Sequence, residues 1–263
     1  MELPLGGIPS LPDFSAGTNW LVDNATRLAD RMKLPHNRLY DEWVSTRDPE
    51  TWPEPPQGEG RPAMLIPGFL AGDPSLAPMA RWLKRGDWNM TRSGINWNVD
   101  CTQATVEVVE QRLRASVEAS GKKALLVGQS RGGAMGKVIA VRNPDLVETL
   151  VTLGSPLNDH FDIHPRTWFG IGIIGSLGEL GLPGFLSRDC ATGDCCKETR
   201  IAYGRPFPED VRFISFYSRG DNIVRYQACL HQAAEHVEIE SSHLGMGLDS
   251  EVWVRMSEQL QAD

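Results

Sequence analysis

The chain has 263 residues, of which 41% are hydrophobic, and it carries a formal net charge of −8 at pH 7. This length and apolar content fit one α/β domain with a well-buried core, and they make two full domains implausible. The acidic balance argues against a nucleic-acid partner and against electrostatic docking on anionic membranes. No apolar run approaches the length of a transmembrane segment, so any lipid contact is expected only through a local apolar surface.

Residues 1–61 predict a helical leader that ends in a Pro-rich linker. Amphipathic spacing favours helices over residues 18–32 and 39–44, and prolines are concentrated over residues 48–62. The first ten residues lack the basic and apolar regions of a signal peptide, so we expect a cytoplasmic protein. We expect this leader to provide packing and cover without taking part in the chemistry.

Strands and helices alternate from Pro62 onward. Short apolar runs predict strands over residues 62–67, 88–92, 124–127, 146–153, 211–217 and 236–240. Helical spacing predicts helices over residues 75–84, 101–119, 131–141 and 251–260. This alternation is typical of a mostly parallel central sheet with helices on both faces.

The sequence Gly-Gln-Ser-Arg-Gly at residues 128–132 lies between a predicted strand and a predicted helix. In such a turn the flanking glycines allow a sharp bend that exposes the serine hydroxyl. The amino end of the following helix also directs backbone N–H groups and the helix dipole toward an oxyanion. With 26 glycines in the chain the five letters carry little weight alone, so the strand and helix around them support the prediction of Ser130 as nucleophile.

Two loops near the C-terminus offer a base and an acid for this serine. Asp221 follows the predicted strand over 211–217, and His243 lies in the loop after the last predicted strand. An acidic residue just after a strand can hold the histidine in the correct tautomer and stabilise its charged form. The chain order of serine, acid and histidine is the one expected for a serine in a strand-turn-helix. Asp249 is the alternative acid, but it is very close in sequence to the histidine loop.

A turn and a long insertion are predicted to complete the site. The Pro-Gly-Phe turn after the first strand is placed to supply one oxyanion N–H, from Phe69, and Arg131 supplies the other. Residues 157–208 interrupt the alternation with a glycine-rich apolar stretch, which predicts a cap or lid over the pocket. The residues expected to form the apolar pocket wall are Leu70, Ile171, Ile174, Leu177 and Leu244.

Five cysteines leave at least one thiol unpaired in a monomer. Cys190, Cys195 and Cys196 lack the paired Cys-x-x-Cys spacing of a structural zinc site, which argues against zinc. A disulfide from this region to Cys229 would favour an oxidising compartment and a secreted mature form, in conflict with the N-terminal sequence. The sequence leaves both alternatives open.

Together these motifs resemble the α/β-hydrolase superfamily, and within it the bacterial lipase and esterase type. The resemblance runs from about Pro62 to the C-terminus and rests on the segments 67–69, 128–134, 154–156, 217–224 and 242–243. It implies an acyl-enzyme mechanism with Ser130 as nucleophile, His243 as base and Asp221 as its partner, and it requires no metal or organic cofactor. Many relatives have His-Gly where this chain has Pro67-Gly68, and histidine in place of Gln129.

The expected function is hydrolysis of carboxylic esters that carry a hydrophobic group. The expected partner is therefore a small apolar ester. Two alternatives remain open at this stage. An acyltransferase would use the same three residues but exclude water, and a non-catalytic member of the fold would bind an apolar ligand or partner.

Overall fold

The computed structural model describes residues 36–158, 185–186, 190 and 193–261. Its strands are β1 (Pro62–Ile66), β2 (Asn89–Arg92), β3 (Ala124–Gln129), β4 (Val147–Leu153), β5 (Arg212–Tyr217) and β6 (Glu235–Glu238). They form one parallel sheet in the order β2-β1-β3-β4-β5-β6. The predicted parallel sheet is therefore confirmed.

Helices lie on both faces of this sheet. They are α1 (His36–Ser45), α2 (Ala77–Arg85), α3 (Thr102–Ser120), α4 (Arg131–Arg142), α5 (Lys197–Tyr203) and α6 (Ser250–Gln261). The helix expected over residues 18–32 lies outside the described residues, and the one expected over 39–44 is part of α1. Within the described ranges no helix is long and apolar enough to cross a membrane.

The strands are apolar on both sides because each face of the sheet packs against helices. Side chains alternate along β1, so Met64 and Ile66 belong to one core while Ala63 and Leu65 belong to the other. The first core also contains apolar residues of α3, α4 and α5, and the second contains those of α2 and α6. The fold therefore has three layers, with helices above and below the sheet.

Three tryptophans attach the Pro-rich linker to the second core. Trp253 of α6 stacks on Trp82 of α2 with ring centroids 5.2 Å apart, and it meets Trp52 of the linker edge to face at 5.3 Å. The indole N–H of Trp82 donates to the carbonyl of Pro53, and that of Trp52 donates to the carbonyl of Thr46. The described part of the leader is thus packed against the domain.

The C-terminal part of the expected cap segment, residues 157–208, contributes to the domain core. It forms α5, and Ala202, Tyr203 and Phe207 belong to the same apolar core as α3 and α4. The Tyr203 hydroxyl also donates to the carbonyl of Pro156 at 2.7 Å. Sequence periodicity did not identify α5, because seven residues are too few to establish a helical repeat.

The strand order reverses direction next to β1. The chain runs from β1 outward to β2 and then returns to the other side of β1 to form β3. In open parallel sheets this reversal creates a crevice at the carboxyl ends of the two strands, where ligands commonly bind. Gly68 lies just after β1 and Ser130 lies just after β3, so both are at the mouth of this crevice.

Candidate active site

Ser130 occupies the turn between β3 and α4. Its backbone has φ 53° and ψ −122°, which is unusual for a residue with a side chain. Its N–H donates to the carbonyl of Leu153 at the end of the neighbouring strand, and its carbonyl accepts from Gly133 in the first turn of α4. The turn therefore holds the serine in a strained and well-fixed position.

Two glycines permit this sharp turn. A Cβ on Gly128 would overlap the backbone of Gly133, and a Cβ on Gly132 would overlap the carbonyl oxygen of Ile66. The start of α4 thus lies directly against β3 and β1, with no room for side chains between the backbones. This close approach is the physical reason for the glycine on each side of the serine.

Asp221 and His243 form a buried pair. The Nδ1 atom of His243 lies 2.6 Å from Oδ2 of Asp221, and the two side chains are only 4% and 1% exposed. The other oxygen of Asp221 accepts the backbone N–H groups of Ile223 and Val224 at 2.8 and 2.9 Å. With Nδ1 donating to the carboxylate, Nε2 is the nitrogen left to accept a proton.

The loop that carries His243 is tied to the residues around Ser130. The side-chain amide of Gln129 donates to the backbone carbonyl of His243 at 3.0 Å. Gly154 lies against the buried pair, because a Cβ there would be 3.2 Å from Nδ1 of His243 and 3.1 Å from Oδ2 of Asp221. Sequence reasoning assigned no role to Gln129, which here joins the turn at Ser130 to the histidine loop.

Glu42 of α1 supports the same loop from the other side. One carboxylate oxygen accepts the backbone N–H of Ser242 at 2.6 Å and the Ser241 hydroxyl at 3.0 Å, and the other accepts the Ser242 hydroxyl at 2.5 Å. Burial raises the pKa of Glu42 above its ordinary value. The leader was expected to provide packing only, but its buried carboxylate fixes the residue that precedes His243.

The two expected oxyanion donors lie on the turns beside Ser130. An ideal Cβ on Gly68 would be 3.3 Å from the Cβ of Ser130, so the turn that contains Phe69 lies against the serine. The next residue, Leu70, is held at φ 63°, in the left-handed region that residues with side chains rarely adopt. Arg131 begins α4, where backbone N–H groups have no carbonyl one turn earlier to accept them.

Comparison with known proteins places this arrangement in a known fold. No protein-family model and no curated protein sequence matches the chain. Its structure is similar to that of the mature lipase BlEst2 from Bacillus licheniformis (15% identity, 78% of this chain and 94% of the lipase, TM-score 0.58). It is also similar to a metagenomic carboxyl esterase (12% identity, 79% of this chain and 77% of the esterase, TM-score 0.59). A third similar structure is a soluble variant of monoglyceride lipase from Saccharomyces cerevisiae (14% identity, 80% of this chain and 90% of the lipase, TM-score 0.53).

The chain has the α/β-hydrolase fold. The identities of 12 to 15% limit this similarity to the fold itself. Within that fold, Ser130 follows β3, Asp221 follows β5 and His243 follows β6. All three residues therefore lie beyond the carboxyl ends of the parallel strands.

The Arg131 side chain holds the start of α4 against the loop that precedes α3. Its guanidinium donates to the carbonyls of Asn98 and Asp100 at 2.9 and 2.6 Å and to the Thr102 hydroxyl at 3.0 Å. Burial lowers the pKa of Arg131 to about 10, so the group remains charged at neutral pH. The start of α4 is thereby fixed to the loop that leads into α3.

Exposed apolar side chains lie on both sides of the crevice. Leu70, Trp97 and Leu244 are 45%, 52% and 41% exposed. The Trp97 indole donates to the carbonyl of Leu70, and its ring meets that of Phe185 at 5.9 Å. The expected pocket residues Leu70 and Leu244 are therefore accessible, while the other three lie outside the described residues: Ile171, Ile174 and Leu177.

A separate groove of about 420 Å³ lies at the amino ends of the strands, opposite the crevice. It is lined by charged residues near the amino ends of the strands, including Arg61, Glu148 and Arg212. These side chains are already paired, with Arg61 2.9 Å from Glu148 and Arg212 2.9 Å from Glu235. Since α/β sheets bind ligands at the carboxyl ends of their strands, this groove is not the candidate site.

Proposed function

We propose that the protein hydrolyses carboxylic esters with a hydrophobic group, and that Ser130 forms a covalent acyl-enzyme. The observation that carries this proposal is the buried pair of Asp221 and His243, whose loop is bonded to Gln129, the residue before the strained serine. The lipases and esterases among the structures of similar fold add support.

The roles follow from the chemistry of each group. His243 takes the proton of the Ser130 hydroxyl through Nε2 as the oxygen attacks the ester carbonyl, and Asp221 stabilises the imidazolium that forms. The backbone N–H groups of Phe69 and Arg131 receive the oxyanion, and losing one such donor would cost about 3 kcal/mol of transition-state stabilisation.

The attack gives a tetrahedral intermediate, and the reaction is then completed in two stages, formation of the acyl-enzyme and its hydrolysis. The leaving alcohol takes the proton from His243 and departs, which leaves the acyl group on Ser130. A water molecule gives a proton to the same histidine and attacks the acyl carbonyl, and the acid is released as Ser130 recovers its proton. These proton transfers use only side chains of this chain.

The proposed substrate is apolar because the crevice is bordered by exposed Leu70, Trp97 and Leu244. We also propose that the predicted cap segment, residues 157–208, covers part of the crevice. Two described residues of this segment support that placement, since the N–H of Leu186 donates to the carbonyl of Val99 and Phe185 contacts Trp97.

Covalent labelling of the full chain by a fluorophosphonate tests the proposal. We expect label on Ser130 and hydrolysis of an ester series that rises with acyl length, and we expect Ser130→Ala to lose both. Ser116→Ala is the matched control, because Ser116 bonds Thr91 between α3 and β2, away from the crevice.

Two outcomes would contradict the proposal. Absence of both labelling and hydrolysis would favour a non-catalytic protein that binds an apolar ligand. Transfer of the acyl group to an added alcohol, with negligible hydrolysis in its absence, would identify an acyltransferase.

A further inference from the structure

Four cysteine sulfurs lie together beside the candidate active site. Cys101 stands at the amino end of α3, and Cys190, Cys195 and Cys196 lie just before α5. All four Sγ atoms are within 4.8 Å of one another. The Sγ atom of Cys101 lies 3.5 Å from that of Cys196, and the Sγ atom of Cys195 lies 3.8 Å from those of Cys190 and Cys196.

These distances fit the ligands of a single metal ion better than they fit disulfides. A disulfide requires a sulfur separation of about 2.05 Å. Four thiolates around Zn²⁺ at about 2.3 Å form a tetrahedron whose edges are about 3.8 Å. We propose that Cys101, Cys190, Cys195 and Cys196 bind one structural Zn²⁺ as thiolates, releasing their thiol protons to solvent.

A backbone hydrogen-bond donor and a buried cation lie next to the sulfurs. The backbone N–H of Gln103 donates to the sulfur of Cys196. The Arg131 guanidinium bonds the residues on either side of Cys101 and interacts with the sulfurs of Cys101, Cys190 and Cys196. Because Zn²⁺ with four thiolates carries a net charge of −2, a buried cation beside the cluster is stabilising. Four cysteine thiolates are also a ligand set typical of structural zinc sites.

The sequence pattern concealed this site. Three of the ligands lie in one short segment without Cys-x-x-Cys spacing, and the fourth is 95 residues away from Cys196. The alternative disulfide to Cys229 does not fit the structure, because Cys229 is buried in a separate apolar cluster with Tyr217 and Val224. The three cysteines before α5 lie next to Cys101 at the start of α3 instead.

Zinc at this position would fasten the C-terminal end of the cap segment to the domain. Arg131, which interacts electrostatically with the sulfurs, begins α4 immediately after Ser130. The metal would therefore hold the start of α3, the start of α4 and the segment before α5 in one arrangement. This proposal concerns metal binding and does not depend on the hydrolase activity.

Metal analysis of the full chain, purified under reducing conditions without chelator, tests the site directly. We expect about one zinc per chain, and replacement by Co²⁺ should give thiolate-to-cobalt charge-transfer bands with the intense visible bands of a tetrahedral site. Chelation should lower the Tm, and added zinc should restore it.

Variants show whether these four residues are the ligands. Cys101→Ser and Cys196→Ser should each lower the zinc content several-fold, and Cys229→Ser should leave it unchanged because Cys229 lies outside the cluster. Circular dichroism shows whether each variant is folded. The cobalt spectrum is measured on the unaltered chain, so it tests the site even where a variant does not fold.

Three results would overturn the proposal. The first is an intact mass without reduction that is lower by two hydrogens per disulfide, with no metal bound. The second is a fully reduced chain that takes up neither zinc nor cobalt. The third is stoichiometric iron in place of zinc.

Discussion

Two of the four non-glycine residues with positive φ in the described part of the chain, Ser130 and Leu70, lie at the crevice. Ser130, Gly154 and Leu70 have φ values of 53°, 54° and 63°, and they follow β3, β4 and β1, which are neighbours in the sheet. Residues with side chains are costly in such conformations and persist where the surrounding structure fixes them. The turns of Ser130 and Leu70 therefore lie at the carboxyl ends of the strands, as does the buried pair of Asp221 and His243.

Asp221 and Asp249 allow a matched test of the acid. Asp221→Asn should lower kcat by roughly 10³- to 10⁴-fold, because an amide no longer fixes the tautomer of His243 or stabilises its charged form. Asp249→Asn should change kcat less than tenfold, because the Asp249 side chain accepts the N–H of Glu251 at the start of α6 and asparagine caps a helix equally well. Steady-state kinetics on one soluble ester measures both.

The opposite ranking of the two variants would assign the acid to Asp249. Thermal unfolding of each variant provides the control, since equal Tm values separate a loss of catalysis from a loss of folding. A large fall in activity for both variants at unchanged Tm would contradict the role given to Asp221 alone.

At the scale of elements, α4 combines the glycine-rich start after Ser130 with a buried lysine in its second turn. The Lys137 ammonium donates to the carbonyl of Leu157 at 2.8 Å and lies 4.1 Å from the centre of the Tyr203 ring. It thereby connects α4 to the end of β4 and to α5. Burial lowers the pKa of Lys137 from 10.5 to about 8.

This shift predicts a pH dependence of stability. Between pH 8 and 10.5 the unfolded chain binds more protons at Lys137 than the folded protein, so this group makes stability rise with pH through that window. The contribution should reach about 3 kcal/mol across the window, and Lys137→Met should abolish it. Urea unfolding of both proteins from pH 7 to 10 measures the difference.

Lys84→Met is the control for this experiment, because Lys84 is an exposed lysine of α2. The difference in free energy of unfolding between Lys84→Met and the unaltered protein should not change across the same pH range. If the difference for Lys137→Met is also independent of pH, the buried ammonium does not titrate in this pH window.

Local patterns predicted most of the elements but few of the contacts between them. The apolar runs of β1, β3 and β4 and the repeat of α3 are set by burial of neighbouring residues, which a sequence displays directly. The side chains that fix the histidine loop could not be predicted in this way, because they are distant from it in sequence. Gln129 and Glu42 reach it from 114 and 200 residues away, and neither residue type signals burial.

The chain order of Ser130, Asp221 and His243 was accessible to sequence reasoning because each follows the end of a strand. Parallel strands bring their carboxyl ends to one edge, so strand ends in sequence become neighbours in space. The cysteine cluster follows no such rule. Its members lie at the start of α3 and in the segment before α5, and the packing of α5 and α3 brings them together.

At the scale of the whole molecule, Glu42 joins the N-terminal leader to the loop of His243. Glu42→Ala should lower stability by about 2 to 4 kcal/mol, because it leaves the Ser242 N–H and two serine hydroxyls without their acceptor. It should also lower kcat more than it raises KM, because a looser His243 loop affects proton transfer and leaves apolar binding in place. Urea unfolding and steady-state kinetics on one ester measure these effects.

Glu42→Gln is the matched variant, since an amide retains one oxygen for the Ser242 N–H and offers a donor to a hydroxyl. It should keep most of the stability and activity. The stability of the two proteins should depend differently on pH. Because the pKa of Glu42 is raised, the folded protein binds more protons than the unfolded chain between pH 4.5 and that pKa. The contribution of Glu42 to the free energy of unfolding therefore falls as the pH rises through this range. Glutamine does not titrate and should lack this fall. Equal activity of Glu42→Ala and the unaltered chain, at lowered stability, would limit Glu42 to a packing role.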